Sequence, residues 1–370
     1  MNNMYSIYSG RRVLITGHTG FKGAWLTSWL LKMGAEVIGY SDCIPTQPAM
    51  FEVLDLESRI EHHIGDIRDF EHIKKVINDT KPDFIFHLAA QPIVSASYAD
   101  PLNTISTNVI GTANVLEALR ILNPECVAVI ITSDKCYENV EWVWGYKETD
   151  HLGGKDIYSG SKGAAEVIFH AYYNSFFVGN KASRVKLATG RAGNVIGGGD
   201  WAMDRIVADC MRSWSKGHPV EIRCPSATRP WQHVLEPLSG YLLLGADLYS
   251  CKQSYGESYN FGPKSEQNRT VVDLLNDLSQ RWDFGANGSA YNITENIPFH
   301  EAGLLKLNCD KAIFNLKWEA NLYYKECVEL VKNWYYEYYN KDQGKMYELT
   351  MQQIAEYESL ALERKLVWTK

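Results

Sequence analysis

The first half of the chain alternates between two hydrophobic periods, and this alternation limits the folds open to it. Short β-branched runs recur at residues 13–16, 36–40, 83–88 and 127–132, and the stretches between them place apolar residues at helical spacing. Strands that are continuously apolar and alternate with helices predict a parallel sheet covered on both faces. Because crossovers between parallel strands are right-handed, the sequence predicts an α/β fold with a Rossmann-type, doubly wound parallel sheet.

The second half of the chain has a looser pattern. At 370 residues the chain exceeds the size at which one core usually keeps growing, so we expect two joined units. We predict a Rossmann domain over residues 1–190 and a smaller mixed α/β lobe over residues 191–370, some segments of which return to the sheet. Residues 323–366 have a helical pattern and are expected to cap the fold.

Composition and charge exclude several classes of protein. With 45% hydrophobic and 22% charged residues, the chain can bury a core without metals or disulfides. Its formal charge of −7, from 37 basic and 44 acidic residues, argues against a nucleic-acid or anionic-membrane surface. The eight cysteines are widely spaced, with no Cys-x-x-Cys pair. With no signal peptide and no run of about 18 apolar residues, we predict a cytoplasmic protein with reduced thiols and no metal site.

A glycine-rich loop, "TGHTGFKG", follows the first predicted strand, and a helix is predicted to begin near Ala24. Glycines at such a turn let backbone N–H groups approach the pyrophosphate of a dinucleotide at the helix N-terminus. The spacing Gly-x-x-Gly-x-x-Gly is looser than the strictest dinucleotide fingerprint, and such turns also occur for packing alone. We interpret the loop as a cofactor site formed by Gly17, Thr19, Gly20, Phe21, Lys22 and Gly23.

Residues at the ends of the following strands support this interpretation. Asp42 ends the second strand, where a carboxylate accepts hydrogen bonds from the adenosine ribose and favours NAD over its phosphorylated form. No arginine lies between Arg12 and Arg59 to hold a 2′-phosphate. The remaining predicted NAD-binding residues are Asp66, Ile67, Leu88, Ala89, Ala90, Asn108, Thr132, Tyr158 and Lys162.

Two further motifs carry candidate catalytic groups. Tyr158 and Lys162 lie one helical turn apart and share a helix face. A buried ammonium and a nicotinamide cation would favour the phenolate, since lowering a tyrosine pKa by about three units needs on the order of 4 kcal/mol. Ser133, Asp134 and Lys135 follow the fourth apolar run. Each motif alone also fits a purely structural role. Tyr158 and Lys162 could be a core tyrosine with a solvated lysine, and Asp134 and Lys135 could be an exposed ion pair in a turn.

Together, the glycine loop, the strand ending in Ser133 and the Tyr158-x-x-x-Lys162 motif resemble the short-chain dehydrogenase/reductase family. The resemblance is to its extended, sugar-nucleotide-modifying branch, over roughly residues 11–340. Residues 132–139, 141–154, 191–202 and 229–237 are similar to the subgroup of 4,6-dehydratases that act on CDP-glucose. In that subgroup a lysine follows the aspartate, where the dTDP-glucose enzymes have a glutamate.

The resemblance implies a set of roles for these residues. Tyr158 would be the catalytic base, tuned by Lys162, and Ser133 would hydrogen-bond the substrate hydroxyl. Asp134, protonated because enclosure raises its pKa, would act as the acid at the C6 hydroxyl. Lys135, as a neutral amine, would remove the C5 proton. NAD would take a hydride from C4 and return it to C6, so that CDP-glucose becomes CDP-4-keto-6-deoxyglucose for deoxysugars of surface polysaccharides such as the O-antigen.

The second lobe is expected to bind the nucleotide diphosphate, for which the planar fork of arginine is suited. The predicted substrate-binding residues are Gln91, Ser133, Arg191, Asn194, Arg205, Arg229 and His233. The resemblance also implies a homodimer in which the helices over residues 105–122 and 161–176 form a four-helix bundle with their mates.

Other functions remain open. A 4,6-dehydratase of another nucleotide sugar, or a nucleotide-sugar C4 epimerase, would share most of these motifs. An epimerase does not need the Asp134–Lys135 pair. A non-catalytic NAD-sensing module is a third alternative, but such a protein would usually have lost Tyr158 or Lys162.

Overall fold

The structure is a computed structural model that describes residues 2–250, 253–264, 267–285, 288–294 and 304–369. The α-helices are α1 (Asn2–Tyr8), α2 (Phe21–Lys32), α3 (Met50–Val53), α4 (Phe70–Thr80), α5 (Val94–Ala99), α6 (Pro101–Ile105), α7 (Gly111–Leu122), α8 (Ile157–Tyr172), α9 (Ile206–Trp214), α10 (Leu235–Ser250), α11 (Val271–Ser279), α12 (Tyr324–Asn340) and α13 (Met346–Glu363). The strands are β1 (Arg12–Thr16), β2 (Glu36–Ser41), β3 (Glu61–Ile64), β4 (Phe84–His87), β5 (Val127–Ile131), β6 (Lys186–Ala192), β7 (Val195–Ile196), β8 (Val220–Ile222), β9 (Thr228–Pro230), β10 (Gln232–His233), β11 (Ser258–Phe261), β12 (Asn268–Thr270) and β13 (Tyr291–Ile293).

A parallel sheet of seven strands forms the centre of the molecule, in the order β11-β6-β5-β4-β1-β2-β3. The strand order reverses between β1 and β4, which pair through Val13 and Phe84. In an open α/β sheet, ligands bind beyond the carboxyl ends of the strands at such a reversal. The predicted fold, a Rossmann-type doubly wound sheet, is confirmed.

Alternating side chains of the central strands feed two hydrophobic cores. Val13 and Ile15 of β1 point into a core shared with Trp25 and Trp29 of α2. Leu14 belongs to the opposite core, with residues of α4, α7 and α8. Successive side chains of a strand face opposite sides, so both faces of β1 must be apolar, as the continuously apolar run requires.

Three of the predicted helices differ in detail from expectation. The first begins at Phe21, one turn before Ala24, because its opening residues face a cleft instead of the core and lie outside the apolar periodicity. The helix predicted over 105–122 consists of α6, a π turn over Ser106–Ile110, and α7. A second π turn, Tyr173–Phe177, extends α8.

The second half of the chain forms a lobe on the sheet and returns to it once. Strand β11 pairs with β6 as the seventh strand of the sheet. Short two-stranded sheets join β7 with β10, β8 with β13, and β9 with β12. The predicted boundary at residue 190 falls inside β6, and the division into two domains stays a prediction.

The C-terminal helices cap the sheet. In the predicted helical range, α12 and α13 pack against each other, and α13 also packs against α2. The carboxylate of Glu358 on α13 accepts hydrogen bonds from Trp29 Nε1 at 2.8 Å and from Tyr5 OH at 2.7 Å. Lys32 Nζ lies 2.5 Å from the other carboxylate oxygen. These contacts fasten the end of the chain to the first crossover helix.

Within the described ranges, no helix combines the length and the hydropathy needed to cross a bilayer. The same part of the chain holds no cluster of three or more His, Cys, Asp or Glu side chains arranged for a metal ion. Seven cysteines there are free thiols, and Cys251 lies outside the described residues.

Candidate active site

A cleft of about 780 Å³ opens at the carboxyl ends of the central strands. It is bounded by the glycine-rich loop after β1, by the residues that follow β2, β3, β4 and β5, and by the second lobe. Parallel strands all present their carboxyl ends at one edge, which is why these sequence-distant segments meet. Most of the residues predicted to bind cofactor or substrate line it: Gly17, Thr19, Gly20, Phe21, Lys22, Gly23, Asp42, Asp66, Ile67, Leu88, Ala89, Ala90, Gln91, Thr132, Asn194, Arg205 and Arg229.

The glycine-rich loop wraps closely around its neighbours. Gly17 has a φ of +76°, and a Cβ there would lie 2.8 Å from the backbone nitrogen of Ala89. A Cβ on Gly23 would lie 2.2 Å from the carbonyl oxygen of Gly17. Gly20 is the N-cap of α2 and provides no side-chain cap. The first N–H groups of α2 therefore face the cleft, in the arrangement that suits the pyrophosphate of a dinucleotide.

At the far end of the loop, Asp42 and Asp66 line the cleft together with Arg68. Arg68 Nε lies 2.9 Å from each carboxylate oxygen of Asp66, and Arg68 Nη1 donates to Asn103 Oδ1 at 2.7 Å. The hydrogen bonds from Arg68 hold the pKa of Asp66 below its usual range. Arg68 lies outside the range from Arg12 to Arg59, in which the sequence has no arginine to hold a 2′-phosphate.

Lys22 extends from the loop toward the opposite, inner end of the cleft. Its Nζ lies 3.5 Å from the hydroxyl of Tyr241 on α10. Burial lowers the pKa of Lys22 to about 7, with the charges of Arg205 and Lys162 acting in the same direction and Asp134 opposing them. The lysine of the glycine-rich loop therefore lies near the candidate catalytic residues and not near Asp42 and Asp66.

Ser133, Asp134 and Lys135, here called the catalytic turn, open a short 3₁₀ turn directly after β5. Ser133 Oγ donates to Asp134 Oδ1 at 2.9 Å and accepts from the backbone N–H of Lys135 at 3.3 Å. Asp134 is 5% exposed, and a Cβ on Gly193 would lie 3.1 Å from its Oδ2. Burial raises the pKa of Asp134, against the opposing effects of Lys135, Ser133 and Lys22. The enclosed carboxyl expected from the sequence is present.

Tyr158 and Lys162 lie in the first two turns of α8, which Asp156 caps by accepting from the Ser159 N–H at 2.9 Å. Both side chains line the cleft and are buried. Burial raises the pKa of Tyr158 to about 12, with Asp134 acting in the same direction and a hydrogen bond with Ser133 opposing it. Burial lowers the pKa of Lys162 to about 8.

The expected lowering of the phenol pKa includes the charge of a nicotinamide cation, so it stays a prediction. Lys162 Nζ lies over the Tyr158 ring, 6.0 Å from its centroid, at the outer limit of a cation–π interaction. The loss of hydration of the phenolate outweighs the positive charges that the chain supplies, among them Arg205. The protein's own groups therefore favour the neutral phenol.

Arg191 and His233 do not reach the cleft, contrary to prediction. Arg191 is 1% exposed on β6 and donates from Nε and Nη2 to the carboxylate of Glu166, each at 2.9 Å. His233 is fully buried on β10, with its ring 5.5 Å from that of Trp25. Both were inferred from residue type alone, and the pleat of their strands turns these side chains away from the ligand.

Asn108 also lies outside the cleft lining but contacts it from behind. Its Oδ1 accepts the backbone N–H of Gln91 at 2.8 Å, and its Nδ2 donates to Ser161 Oγ at 2.9 Å. Asn108 therefore holds the chain after β4 against α8 and does not itself face a ligand.

Several lining residues of the second lobe were not predicted. Arg205, which was predicted, lines the cleft, and its Nη1 lies 2.7 Å from Oδ2 of Asp200, a lining residue that was not predicted. Arg223 at the end of β8 lies 3.7 Å from Asp204. Asp209 on α9 also lines the cleft, and burial raises its pKa to about 6. These short segments carry no motif, so only the tertiary structure brings them to the site.

Comparisons with known proteins agree with the fold and the motifs. The family model described as GDP-mannose 4,6 dehydratase matches residues 14–330. CDP-glucose 4,6-dehydratase from Salmonella typhimurium is 47% identical over 332 residues, which cover 89% of this chain and 92% of that protein. dTDP-glucose 4,6-dehydratase from Xanthomonas campestris is 23% identical over 338 residues, covering 87% of this chain and 92% of the relative.

Solved structures of similar fold include enzymes with two activities. DesIV, a dTDP-glucose 4,6-dehydratase from Streptomyces venezuelae solved with NAD and TYD bound, has a TM-score of 0.74 at 21% identity, covering 88% of this chain and 97% of that one. UDP-glucuronic acid 4-epimerase from Bacillus cereus, in complex with UDP-glucuronic acid and NAD, has a TM-score of 0.73 at 21% identity, covering 88% and 99%. On the extent of the family match and the identity to the Salmonella relative, the chain belongs to the GDP-mannose 4,6-dehydratase family.

Proposed function

We propose that the protein is an NAD-dependent dehydratase that converts CDP-glucose to CDP-4-keto-6-deoxyglucose with loss of water. The observation that carries the proposal is the enclosed Asp134 beside Lys135, in one cleft with Ser133, Tyr158 and Lys162. An acid and a base in addition to a tyrosine–lysine pair are what an elimination requires and a simple oxidation does not. The product would serve deoxysugars of surface polysaccharides such as the O-antigen, and the reduced cysteines suggest synthesis in the cytoplasm.

The substrate assignment draws on the similarity to the CDP-glucose 4,6-dehydratase of Salmonella typhimurium, which extends over 89% of this chain. The cofactor assignment draws on the N–H groups at the start of α2 and on the carboxylate of Asp42, which lines the same cleft. Proteins of the same fold have been solved with NAD bound. Arg68 is engaged by Asp66 and Asn103, so it does not favour the phosphorylated cofactor.

In the proposed oxidation, Tyr158 takes the proton of the C4 hydroxyl, with Ser133 hydrogen-bonded to the same oxygen. NAD, when bound, would supply the hydride chemistry at C4 and C6. Burial raises the pKa of Tyr158 to about 12, and the hydrogen bond with Ser133 and the charge of Arg205 oppose that rise.

In the proposed elimination, the 4-keto group acidifies C5–H, and Lys135 removes that proton. Asp134 donates its proton to the C6 hydroxyl, which leaves as water; burial raises the pKa of Asp134, which favours this role as an acid. Lys135 returns its proton to C5 when C6 receives the hydride. Tyr158 ends with one added proton and Asp134 with one fewer. A proton transfer from Tyr158 to Asp134 restores both side chains, so the net change is the loss of one water.

The second lobe would bind the nucleotide diphosphate. Arg205 and Arg229 line the cleft and carry the planar donor fork that suits phosphate. Gln91 and Asn194 line it as well and are proposed to contact the hexose. Residues 1–190 would thus serve mainly the cofactor and the second lobe mainly the substrate.

A direct test is to incubate the purified protein with CDP-, UDP-, dTDP- and GDP-glucose, each with and without added NAD⁺. Formation of a 4-keto-6-deoxy sugar, followed by its absorbance in alkali, is expected with CDP-glucose. Product from another nucleotide instead would reassign the base. Product from none of the four, or a C4 epimer, would reject the dehydratase, and a protein that binds NAD without any turnover would indicate a sensing module.

We also propose that the protein is a homodimer, assembled through α6 to α8 as the family resemblance implies. Exposed apolar side chains on these helices and the turns that join them are Leu102, Ile105, Ile110, Ile121, Val167 and Phe176. Unpartnered apolar stripes of this kind are typical of an association surface.

The substitutions Ile110→Asp and Val167→Asp, made together, are expected to give a monomer, because each places a charge in the proposed interface; their exposures are 50% and 54%. Size-exclusion chromatography with light scattering measures the result. Phe314→Asp is the matched control, since Phe314 is 75% exposed on a different segment that packs against α10 and β11. A dimer that survives the double substitution would place the interface elsewhere.

A further inference from the structure

The ion pair between Glu166 of α8 and Arg191 of β6 lies behind the catalytic turn. Two parallel hydrogen bonds of 2.9 Å join Arg191 Nε and Nη2 to the carboxylate of Glu166. The Glu166 side chain is 0% exposed and that of Arg191 is 1% exposed. Within the described residues, neither Glu166 nor Arg191 lines the cleft, and the proposed mechanism uses neither of them.

Hydrogen bonds join this pair to residues on both sides of the catalytic turn. Before the turn, Thr132 Oγ1 donates to Glu166 Oε1. After the turn, Arg191 Nη1 donates to the hydroxyl of Tyr137 at 2.7 Å. Thr132 and Tyr137, which flank the turn, are therefore both hydrogen-bonded to the ion pair.

The pair is itself fixed by the elements around it. Thr189 Oγ1 of β6 and Ser258 Oγ of β11 donate to Glu166 Oε2 at 3.1 Å and 3.3 Å. The Tyr137 hydroxyl donates onward to Asn260 Oδ1 at 2.8 Å. Glu166 lies one helical turn beyond Lys162 on α8. Any movement of the catalytic turn relative to Lys162 must therefore break directional contacts.

Burial this complete makes the ion pair a poor source of stability. Removing two ions from water costs several kcal/mol per ion, and hydrophobic residues of similar volume often replace such a pair without loss of stability. The fork of arginine and the two carboxylate oxygens give fixed directions, which a hydrophobic pair does not. We therefore expect the ion pair to fix the positions of the groups it contacts and to add little to the stability of the fold.

We propose that Glu166 and Arg191 are positioning residues that hold the catalytic turn against α8. Their contacts keep Asp134 and Lys135 aimed at one side of the hexose while Tyr158 acts at C4. This inference rests on the proposed dehydration, in which the acid and base of the turn must reach C6 and C5 after oxidation at C4. Loss of the contacts should therefore slow elimination more than it weakens binding.

The test replaces both members of the pair, Glu166→Met with Arg191→Met, so that no charge is left buried alone. We expect a melting temperature close to that of the wild type, since such replacements are often neutral. We expect kcat to fall about 100-fold while KM for CDP-glucose changes less than about threefold, because a displacement near 1 Å can cost this much in rate. NADH absorbance should build up during turnover, because oxidation continues and elimination lags.

A second readout does not depend on activity. Hydrogen–deuterium exchange of the amides over residues 133–137 should be faster in the double variant. The matched control is Glu358→Gln, a buried acid that binds Trp29, Tyr5 and Lys32 far from the turn. It should lower the melting temperature and leave kcat and the exchange of 133–137 unchanged.

The outcomes separate this inference from the proposed function. Unchanged kcat and unchanged exchange in the double variant would overturn the positioning role. Faster exchange in a protein whose wild type acts on no nucleotide hexose would support the positioning role and reject the dehydration. If the double variant does not fold, Thr132→Val with Tyr137→Phe removes the two contacts and leaves the ion pair intact. The same loss of kcat and the same faster exchange are then expected, and their absence would overturn the inference.

Discussion

The variant Tyr158→Phe is expected to lower kcat about a thousandfold and to abolish the NADH absorbance that appears when CDP-glucose is mixed with the NAD-loaded protein. General acid–base groups contribute on the order of 10²- to 10⁴-fold to a rate, and Tyr158 is the proposed base for the first step. Without the phenol oxygen, the C4 hydroxyl keeps its proton and no hydride leaves C4. Stopped-flow absorbance on a single turnover measures the oxidation directly.

Binding should survive this substitution, because phenylalanine keeps the buried ring. Tyr8→Phe is a suitable control, since Tyr8 is also fully buried and its hydroxyl donates to the Leu242 carbonyl at 2.6 Å, away from the cleft. The control should lose some stability and keep its rate. A Tyr158→Phe variant that still oxidises C4 at the wild-type rate would remove Tyr158 from the mechanism.

The variant Asp134→Asn is expected to give the complementary result, in which oxidation persists and elimination is lost. Asparagine keeps the shape of the side chain but cannot donate the proton that the C6 hydroxyl needs, so kcat should fall on the order of 10²- to 10⁴-fold. Because Tyr158 and Ser133 remain, NADH absorbance should rise and persist. The two variants thus separate the two halves of the reaction by one measurement.

The pH dependence follows from the same carboxyl. Asp134 must be protonated to act, so the elimination rate should fall as pH rises through its pKa. Burial raises that pKa, so the fall should lie above the ordinary aspartate value of about 3.9. Asp134→Asn should lack this alkaline limb. Glu236→Gln is the matched control, because Glu236 is another buried acid, with a pKa raised to about 7 by burial but located on α10 outside the cleft lining. Retention of the limb in Asp134→Asn would assign it to another group.

Local patterns were enough to predict the sheet and the main motifs. The runs at 13–16 and 127–132 became β1 and β5, because strands apolar on both faces can only be buried within a two-sided fold. Once the strands are parallel, whatever follows their carboxyl ends must meet at one edge. That rule brought the glycine loop, Asp42 and the catalytic turn into one cleft without any knowledge of the side-chain packing.

Side chains in the second lobe were predicted less well, since an arginine in a short segment carries no signal of its direction. Arg205 and Arg229 were preferred for the diphosphate, and Arg191 was a further candidate for substrate binding. Arg205 faces the cleft, whereas Arg191 points from β6 toward Glu166 and is lost to the ligand. Arg68 lines the cleft beside Asp66, to which it is hydrogen-bonded. A search limited to the residues before Arg59 could not detect it.

The sequence by itself determined the fold class, the place of the cofactor loop and the identity of the five candidate catalytic side chains, because these depend on periodicity and on residues close together in the chain. Only the tertiary structure showed what encloses two of them: burial raises the pKa of both Asp134 and Tyr158, and Lys22 lines the same cleft. The physical reason is that hydration, unlike periodicity, depends on everything that packs around a group, including Gly193 and the second lobe, which lie far away along the chain.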